Sequence, residues 1–573
     1  MEKYFDATEF SNIKEILYDV VKRIPNNIVY IIKKSAEEKG EKKYKNITYK
    51  EFLKRINNLG TALFNLGYKG KRIAIIGRNR FEWALTHFSN LLGGIVSVPI
   101  DKELQIEELE QSLARSKANA VVFDPKYLDK IEVLKSKESM DGKEFICMDK
   151  MEGYSDLYSL EKKGEKLLKK GNKDFVNFDV DSDAMNILLF TSGTSARSKA
   201  VMLSQRNIAS NIYAMQLVEP LKAGDTTIAF LPFHHVFGST CMIMMMASGV
   251  TTAFPDGIRY IAQNLKEYKV SIFVGVPVLV EGIYKNIKKE VKKQGKEKTL
   301  KVGMSISNFL YKCKIDVRRK IFKSIIEPLG GNLKYIISGG APLDKEIAEY
   351  FNSIGIGLLQ GYGLTETSPV LAAENYKSVR PGSVGKPMFN VDFDFANKDE
   401  HGIGEVRVKG PNVMLGYYED EEKTNEVLRD GWFYTGDLGY MDKDGYVHLT
   451  GRKKDMIVLK NGKKVFPEEM EVILNRLDIV EESLVFGMPK EDGDVKISAK
   501  IVYNKDVANK EYPGKSFDEI KEIIWNEIKE INKTFPTYKY IKHLILTDQE
   551  LIKTTTKKVK REEEIKNILL KEV

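Results

Sequence analysis

Apolar residues follow two alternating patterns between positions 47 and 99. Short continuous apolar runs predict strands at Arg72–Ile76 and Ile95–Pro99, and helical spacing predicts helices at Tyr49–Leu66 and Arg80–Leu92. Strands that are apolar throughout must be covered on both faces, which is typical of a parallel sheet flanked by helices. The pattern therefore predicts an α/β fold.

The same alternation continues with a predicted helix at Ile106–Ser116 and a predicted strand at Ala120–Phe123. The Lys- and Glu-rich span from Tyr127 to Asp179 is interpreted as surface elaboration, to which we attach no function. Short alternating strands are predicted between Val384 and Leu449, which indicates a small β-rich part.

Two glycine-containing turns follow predicted strands in the middle of the chain. The strand Leu333–Ile337 ends in Ser338–Pro342, and the strand Gly355–Leu359 ends in Gln360–Thr367. Because these strand ends are so close in sequence, we predict that they form neighbouring rims of one cleft.

Composition narrows the class of protein. A chain of 573 residues is too long for one hydrophobic core, and about three or four compact units are expected. A net charge of +9, with Lys and Glu interleaved, favours a solvated surface over a nucleic-acid footprint. The cysteines Cys147, Cys241 and Cys313 are too widely spaced for a disulfide framework or a zinc site, which suits a reducing cytoplasm. No secretory signal is expected, and the most apolar segment, Cys241–Phe254, is too short to span a bilayer.

A hydroxyl-rich segment, Thr191–Ser198, separates the apolar run Ile187–Phe190 from the apolar residues that resume at Val201. Its Ser and Thr hydroxyls can donate hydrogen bonds, Gly193 lets backbone N–H groups approach an anion, and Lys199 adds a positive charge. This arrangement favours a loop that grips a nucleotide polyphosphate, with a merely solvated connection as the alternative. The spacing is not that of a Walker A loop.

Three further segments have two interpretations each. His235 follows a predicted strand, Thr227–Leu231, and is either a core histidine or the wall of a substrate pocket at a strand's carboxyl end. The methionines that follow either pack in the core or line a tunnel for an acyl chain; they are Met242, Met244, Met245 and Met246. The Lys-rich span Lys285–Arg319 is either an exposed helical hairpin or an amphipathic lid or membrane-facing patch.

Four motifs together give the chain a family resemblance. They are GYGLTETSP at 361–369, YTGDLG at 434–439, GRKKDMIVLKNGKKVFPEEME at 451–471 and KTTTKKVKR at 553–561. With the loop at 191–199, they occur in the order and spacing of the adenylate-forming superfamily. The chain resembles the long-chain fatty acyl-CoA synthetases most.

The resemblance implies a two-step ligation, in which a carboxylate attacks the α-phosphorus of ATP to give an acyl-adenylate and a thiol then takes the acyl group. The hydroxyl-rich loop would hold the β- and γ-phosphates through Thr191, Ser192, Gly193, Thr194, Ser195 and Lys199. Lys199 would also offset the charge that builds on the pyrophosphate. Mg²⁺ would be held by Glu366 together with Thr191.

The remaining site residues are also implied by the resemblance. Tyr362 corresponds to the aromatic residue that stacks on adenine, Asp437 to the carboxylate that binds the ribose hydroxyls, and Lys558 to the lysine that reaches the forming adenylate. Further ATP contacts are expected from Gly340, Ala341, Gly363, Thr365 and Arg452. Glu366, Lys199, Thr365 and Lys558 are the expected catalytic residues, and His235 and Gly361 the expected acyl pocket.

The implied architecture is a large domain, residues 1–451, of two stacked α/β subdomains and a small β-rich subdomain, followed by a small mobile α/β lid, residues 452–573. The lid would rotate about Lys454 and present either Lys558 for adenylation or the 460–465 face for thioester formation.

The loop departs from the family pattern at Ala196, Ser198 and Ala200, where the family has Gly, Pro and Gly. Phe233-His234-His235 replaces the acidic start of an amino-acid pocket, which favours a medium- or long-chain fatty acid. CoA is the expected acceptor. The alternatives are an acyl carrier protein as acceptor, or a catalytically silent nucleotide-binding regulator. A homodimer and a peripheral membrane contact are left open.

Overall fold

The computed structural model describes residues 3–34, 43–191, 198–490, 493–554 and 558–572. In chain order the strands are β1 (Ile28–Lys33), β2 (Tyr44–Thr48), β3 (Arg72–Ile76), β4 (Val96–Ile100), β5 (Ala120–Phe123), β6 (Glu144–Cys147), β7 (Ser155–Asp156), β8 (Met185–Thr191), β9 (Lys199–Ser204), β10 (Thr226–Ile228), β11 (Thr251–Ala253), β12 (Ile272–Gly275), β13 (Tyr335–Gly339), β14 (Gly357–Gly363), β15 (Val370–Ala373), β16 (Lys386–Pro387), β17 (Asp392–Ala396), β18 (Gly404–Lys409), β19 (Gly416–Tyr417), β20 (Leu428–Arg429), β21 (Trp432–Met441), β22 (Val447–Arg452), β23 (Ile457–Val458), β24 (Lys464–Val465), β25 (Val480–Pro489), β26 (Val495–Tyr503) and β27 (His543–Thr547).

The helices in the same ranges are α1 (Ile13–Arg23), α2 (Tyr49–Asn65), α3 (Phe81–Leu92), α4 (Ile106–Ser116), α5 (Leu128–Lys135), α6 (Leu157–Lys169), α7 (Gln205–Gln216), α8 (Val236–Ala247), α9 (Ile261–Glu267), α10 (Pro277–Lys293), α11 (Glu297–Lys312), α12 (Arg318–Ile321), α13 (Lys323–Ile326), α14 (Lys345–Ser353), α15 (Glu421–Val427), α16 (Pro467–Leu474), α17 (Lys505–Glu511), α18 (Phe517–Asn532) and α19 (Arg561–Glu572). None of them is long and apolar enough to cross a membrane.

The two largest sheets have mostly parallel cores. One has the order β19-β9-β8-β4-β3-β5-β6-β7, and the other β16-β15-β14-β13-β12-β10-β11-β1-β2. The central strands β3, β4 and β5 pair in parallel, as do β12, β13 and β14, and their residues are largely buried. The predicted elements between positions 49 and 123 are confirmed within one residue at each end. The α/β prediction is therefore correct.

A five-stranded sheet, β17-β18-β21-β20 with β22 on β21, forms the predicted β-rich part. Beyond it lie a two-stranded ribbon, β23-β24, and a three-stranded sheet, β25-β26-β27, which has its own core of buried aliphatic side chains. A large α/β body and a smaller α/β unit at the C-terminal end follow from this arrangement.

The interpretation of Tyr127–Asp179 as surface elaboration is wrong. Strands β6 and β7 extend the eight-stranded sheet, and α6 packs against α2. Phe175 is fully buried, and a Cβ at Gly60 would lie 2.1 Å from its ring, so glycine at that position makes room for the aromatic. A few apolar residues in a Lys-rich span thus complete the first core.

The strand predicted at Thr227–Leu231 is shorter than expected, because β10 ends at Ile228. Beyond Ile228 the side chain of Asn79 provides hydrogen bonds to the backbone. Its amide donates to the carbonyl oxygens of Ala229 and Leu231, both at 2.7 Å. A side chain from the other sheet therefore replaces ladder partners and fixes the segment that leads into His234 and His235.

The predicted cleft between two strand ends is confirmed. Strands β13 and β14 are parallel neighbours in register, with Gly339 beside Gly361. The turns that follow them, at Gly340 and Leu364, therefore open at the same edge of the nine-stranded sheet.

Candidate active site

Three residues predicted to bind the nucleoside form one hydrogen-bonded group. The hydroxyl of Tyr362 donates to Oδ2 of Asp437 at 2.7 Å, and Nε of Arg452 donates to Oδ1 at 2.9 Å. Tyr362 and Asp437 are buried. Burial, followed by the charge of Asp437, holds the pKa of Tyr362 well above its ordinary value, so the phenol keeps its proton.

Strand register explains this geometry. Asp437 on β21 lies directly opposite Arg452 on β22, so the two side chains meet as a cross-strand pair. Tyr362 comes from β14 of a different sheet, 75 residues away from Asp437 in sequence. The group therefore joins the large α/β body to the β-rich sheet.

Lys558 reaches the same place from the C-terminal unit. Its Nζ would lie 3.9 Å from a Cβ at Gly340, on the rim beyond β13. The turn that carries it is closed by its own backbone, since the N–H of Thr554 donates to the carbonyl oxygen of Lys558 at 2.8 Å. Lys560 instead pairs with Glu563 at 3.2 Å, and Lys557 lies outside the described residues. Of Lys558 and Lys560, it is Lys558 that faces the Gly340 rim.

The surroundings of Lys558 lower the pKa of its ammonium group. Although the residue is exposed overall, protein atoms crowd its ammonium group, and this desolvation lowers its pKa. Arg452 lowers the pKa further, and Asp437 opposes both effects. The ammonium group of Lys558 is thus close enough to Arg452 and Asp437 for their charges to act on it.

A second group connects the predicted phosphate lysine with the predicted magnesium ligand. Nζ of Lys199 lies 3.2 Å from the hydroxyl oxygen of Tyr417, and this hydroxyl donates to Oε1 of Glu366 at 2.8 Å. The ammonium group also lies 4.8 Å from the centre of the Tyr417 ring. Tyr417 was missed in the sequence. Tyr417 lies near Lys199 because its strand, β19, pairs with β9, which begins at Lys199. This pairing joins segments that are distant in sequence.

Strands β8 and β9 form an antiparallel pair that carries the hydroxyl-rich loop. Thr191 lies opposite Lys199, and its Oγ1 is 3.4 Å from the Lys199 carbonyl oxygen. The predicted phosphate contacts Ser192, Gly193, Thr194 and Ser195, and the departure at Ala196, lie outside the described residues. At the other two departures, the carbonyl oxygen of Ser198 accepts a hydrogen bond from Arg115 at 2.5 Å, and Ala200 is fully buried in the core.

Glu366, the predicted magnesium ligand, lies in the short turn Thr365–Thr367 directly after the β14 strand end and is only 9% exposed. Among the described residues its carboxylate accepts one hydrogen bond, at Oε1. Its other carboxylate oxygen is therefore available. Mg²⁺ prefers such hard oxygen ligands and often takes only one or two from the protein, with phosphates and waters completing the shell.

Glycines shape both rims. Gly340 has φ +88°, and it is exposed, as is Ala341. A Cβ at Gly363 would lie 1.8 Å from the Pro369 carbonyl oxygen, so β14 can approach β15 only without a side chain there. A Cβ at Gly361 would make an ordinary contact of 3.7 Å, so glycine at that position is not required by packing.

His235 precedes α8 and lies against His234, with ring centres 4.3 Å apart. Asp101, directly after β4, was missed in the sequence: its Oδ1 is 3.4 Å from Nε2 of His234. Burial, followed by the neighbouring His234, lowers the pKa of His235 to about 3. His235 is therefore neutral at physiological pH and has no described hydrogen bond at Nε2.

A small apolar cavity of about 20 Å³ lies between the end of β10 and helix α8. Met242 and Met245 line it, together with residues that include Phe230, Leu231, Phe233 and Cys241. All four methionines are buried in hydrophobic core clusters, so core packing is confirmed. The acyl tunnel stays a prediction.

Ion pairs and a backbone hydrogen bond cross the junction between the two units. Arg476 pairs with Asp344 at 2.8 Å, and the N–H of Lys453 donates to the Gly436 carbonyl oxygen at 2.9 Å. Lys454, the predicted hinge, pairs at 3.0 Å with Glu562 of its own unit. Lys464, on the predicted thioester face, pairs with Asp399 of the β-rich sheet at 3.2 Å. Lys558 rather than the 460–465 face therefore meets the nucleoside-binding group in this arrangement.

Curated relatives resemble the chain over most of its length. A chloroplastic long-chain-fatty-acid–[acyl-carrier-protein] ligase of Arabidopsis thaliana is 28% identical over 84% of this chain and 76% of its own. A long-chain-fatty-acid–CoA ligase of Mycobacterium bovis is 27% identical over 85% of this chain and 82% of its own.

Solved structures share the fold. The crystal structure of an anthranilate CoA ligase in complex with anthranoyl-AMP aligns with a TM-score of 0.76 at 20% identity, covering 99% of both chains. The o-succinylbenzoate CoA synthetase of Bacillus subtilis in complex with ATP and magnesium aligns with a TM-score of 0.72 at 20% identity, covering 96% of this chain and 99% of its own.

Two family models account for most of the sequence. The AMP-binding enzyme model matches residues 18–418, and the model of the AMP-binding enzyme C-terminal domain matches residues 454–568. The chain belongs to the AMP-binding enzyme family.

Proposed function

We propose that this protein activates a medium- or long-chain fatty acid with ATP and transfers the acyl group to the thiol of CoA. In the first step a carboxylate oxygen attacks the α-phosphorus, and the bond to the β-phosphate oxygen breaks. In the second step the thiol sulfur attacks the acyl carbon and AMP leaves. The observation that carries this proposal is the position of Lys558: its ammonium group lies at the Gly340 rim and within electrostatic range of Asp437 and Arg452, which are hydrogen-bonded to each other and to Tyr362.

In adenylate formation these residues would have separate tasks. Asp437, as a carboxylate, can accept hydrogen bonds from the ribose hydroxyls while Arg452 holds it in place. Lys558 would stabilise the negative charge that develops where carboxylate and α-phosphate meet. Placing a charge there in a fixed position requires no reorganisation during the reaction.

The leaving pyrophosphate would be handled by the second group. Lys199 would offset its charge, and Tyr417 would hold Lys199 and Glu366 at a fixed separation through its hydroxyl. Mg²⁺ bound by Glu366 would supply positive charge to the phosphate oxygens. We propose Thr365 and Thr191 as further polar contacts at this end of the cleft.

Thioester formation would use a second arrangement of the C-terminal unit. One ion pair between the units, Lys464–Asp399, is between partly exposed groups, and such pairs contribute little stability. Arg476 also donates two hydrogen bonds to Asp344, at 2.8 and 2.9 Å. A rotation of the C-terminal unit would have to break both contacts. It would withdraw Lys558 and bring the 460–465 face to the site, which is what the second step requires.

The apolar cavity could receive a fatty acyl chain only after rearrangement. At about 20 Å³ it holds no more than a water-sized group, so an acyl chain can enter only if lining side chains move. Met242 and Met245 are unbranched and suit such movement. We expect Met245→Phe to shift the preferred acid toward shorter chains, whereas Met244→Phe, at a core position outside the cavity, would change stability without changing the preference.

An acyl carrier protein is the second candidate acceptor, because the Arabidopsis relative carries that activity in its name. Both acceptors end in the same thiol. Incubation with labelled fatty acid, ATP and either CoA or carrier protein identifies the acceptor from the thioester that accumulates.

Carboxylate-dependent ATP–pyrophosphate exchange tests the activity itself. A panel of acids from acetate to palmitate should give the fastest exchange with a medium- or long-chain acid. If no acid in the panel supports exchange, the proposal is wrong, and the protein is better described as a silent nucleotide-binding regulator.

A further inference from the structure

Helix α11 packs against the protein through one side only. Ser307 is buried with its hydroxyl 3.4 Å from the carbonyl oxygen of Ser353, and the amide of Asn308 donates to the Ser353 hydroxyl at 2.9 Å. Leu300 and Met304, on the same side, contact the core beneath α14. This leaves the opposite side of α11 facing outward.

The outward side is apolar. Val302, Ile306 and Phe309 follow one another at helical spacing and are 59%, 52% and 67% exposed. Soluble surfaces carry scattered apolar side chains, but a contiguous apolar helix face marks an interaction site more often than not. We call Val302, Ile306 and Phe309, with the lysines described next, the α11 face.

Lysines flank this apolar stripe. On a helical projection Lys298, Lys301 and Lys312 fall on one flank of it, and all three are exposed. None of them forms an ion pair within the part of the chain that the structure describes. Residues 285–323 contain fourteen Lys and Arg but only three Asp and Glu, so the surroundings are strongly basic.

Helix α10 connects this face to the site. It is preceded by Val276, whose Cγ1 would lie 4.0 Å from a Cβ at Gly340, on the rim that Lys558 reaches. The helix then runs for 17 residues, about 25 Å, to the turn that begins α11. The α11 face is therefore part of the same structural unit as the rim of the cleft.

We propose that the α11 face docks on an anionic lipid bilayer. Val302, Ile306 and Phe309 enter the boundary between headgroups and acyl chains, and Lys298, Lys301 and Lys312 lie at the lipid phosphates. A bilayer offers an apolar layer bordered by negative charge, which matches an apolar stripe bordered by lysines. The proposal deepens the proposed function and rests on it in one respect: a fatty acid dissolved in the same bilayer would be the substrate.

Vesicle co-sedimentation of the full chain tests the docking. Vesicles of phosphatidylcholine with about one third phosphatidylglycerol should bind the protein, and phosphatidylcholine alone should bind it much more weakly. Combining Val302→Gln, Ile306→Gln and Phe309→Gln should lower the partition coefficient at least about tenfold. The matched control, Val133→Gln with Phe517→Gln, changes apolar residues of similar exposure on other surfaces and should bind like the unmodified chain.

Charge is tested in the same assay. Combining Lys298→Glu, Lys301→Glu and Lys312→Glu should abolish binding to the anionic vesicles, since each lysine near such a surface contributes several-fold. The control Lys162→Glu, Lys163→Glu and Lys166→Glu makes the same change of net charge on α6 and should retain binding. Far-UV circular dichroism verifies that every variant is folded.

Several outcomes would overturn the docking proposal. One is that the unmodified chain does not bind anionic vesicles, and another is that the α11 variants bind as well as their controls. A dimer in sedimentation velocity that the apolar variant converts to monomer, without vesicle binding, would assign the face to a second copy. Loss of acyl-carrier-protein binding in the lysine variant, with vesicle binding intact, would assign it to that protein. Exchange with water-soluble hexanoate reports separately on the proposed function, so the two proposals can fail independently.

Discussion

The hydroxyl of Tyr417 donates to the carboxylate of Glu366 at 2.8 Å and accepts from the ammonium group of Lys199 at 3.2 Å. One tyrosine thus contacts a carboxylate from the turn after β14 and an ammonium group from β9. Burial, followed by the charge of Glu366, keeps the pKa of Tyr417 far above its ordinary value, so the hydroxyl remains a donor at every working pH.

Tyr417→Phe should slow adenylate formation by about 10- to 100-fold, the effect of losing one hydrogen bond to a buried charged group. Because Glu366 loses its donor, the magnesium concentration that gives half-maximal exchange should also change. Tyr418→Phe removes a hydroxyl from the neighbouring residue, whose ring lies beside Arg72, and serves as control. Unaltered magnesium dependence in Tyr417→Phe would contradict the role we assign to this tyrosine.

Lys558→Ala should suppress exchange by about 10²–10³-fold while sparing thioester formation from supplied acyl-adenylate, because the charge is needed only in the first step. Lys560→Ala, two residues away and paired with Glu563, should leave both half-reactions near normal. Desolvation of its ammonium group lowers the pKa of Lys558. As the pH rises, exchange should therefore begin to decline at a lower pH than a lysine with an ordinary pKa would give. If Lys560→Ala produces the larger loss, the assignment of Lys558 is wrong.

Asp437→Asn should raise the KM for ATP at least about tenfold, because the neutral amide accepts more weakly and leaves Arg452 without its buried partner. Tyr362→Phe removes the other hydrogen bond to Asp437 but keeps the aromatic ring. Its effect on KM should be smaller if stacking is the main contribution of the ring. Equal effects of both variants would show that the hydrogen-bonded group acts as a unit.

Glu219 and Glu374 are buried near each other, and Glu374 accepts a hydrogen bond from the N–H of Gln360 on β14 at 3.0 Å. Burial, followed by the charge of Glu374, raises the pKa of Glu219 to about 8. Burial raises the pKa of Glu374 to about 7. Oε2 of Glu219 has no hydrogen-bond partner among the described residues. The folded chain therefore holds protons that the unfolded chain releases near pH 4. Stability should consequently fall as pH rises from about 4 to 8.

Glu219→Gln should remove part of this dependence. At pH 8 it should increase the free energy of unfolding by about 1–3 kcal/mol, and near pH 4.5 it should have little effect. Denaturant titrations at the two pH values measure the difference. Glu522→Gln, at an exposed position on α18, is the control; an equal gain in that variant would mean that the buried pair is not the cause.

Local sequence patterns were sufficient for the regular elements and for residues within motifs. The continuous apolar runs at β3 and β5 and the helical spacing of α4 give their bounds directly, because period and length are local properties. Tyr362, Asp437 and Lys558 were found because each lies within a recognisable string of residues. Their meeting in one place follows from strand register, which the motifs do not contain.

Sequence patterns did not reveal residues whose contacts are with partners distant in the chain. Tyr417 contacts Glu366 across 51 positions, and Asp101 meets His234 from another sheet. Phe175 was overlooked for a different reason: it is a single aromatic within a Lys-rich span, and its pocket exists only because Gly60 and Gly93 lack side chains. Such contacts depend on the packing of separate elements rather than on any local period.

The cross-strand pair of Asp437 and Arg452 has a consequence for how mutants at this site must be interpreted. Arg452 is the last residue of β22, and the predicted hinge Lys454 follows after a single residue. A substitution at Arg452 therefore alters the nucleoside pocket and the attachment of the C-terminal unit at once. A lower affinity for ATP in such a mutant reports a mixture of lost contact and displaced lid, whereas Asp437, inside its strand, allows the contact to be studied alone.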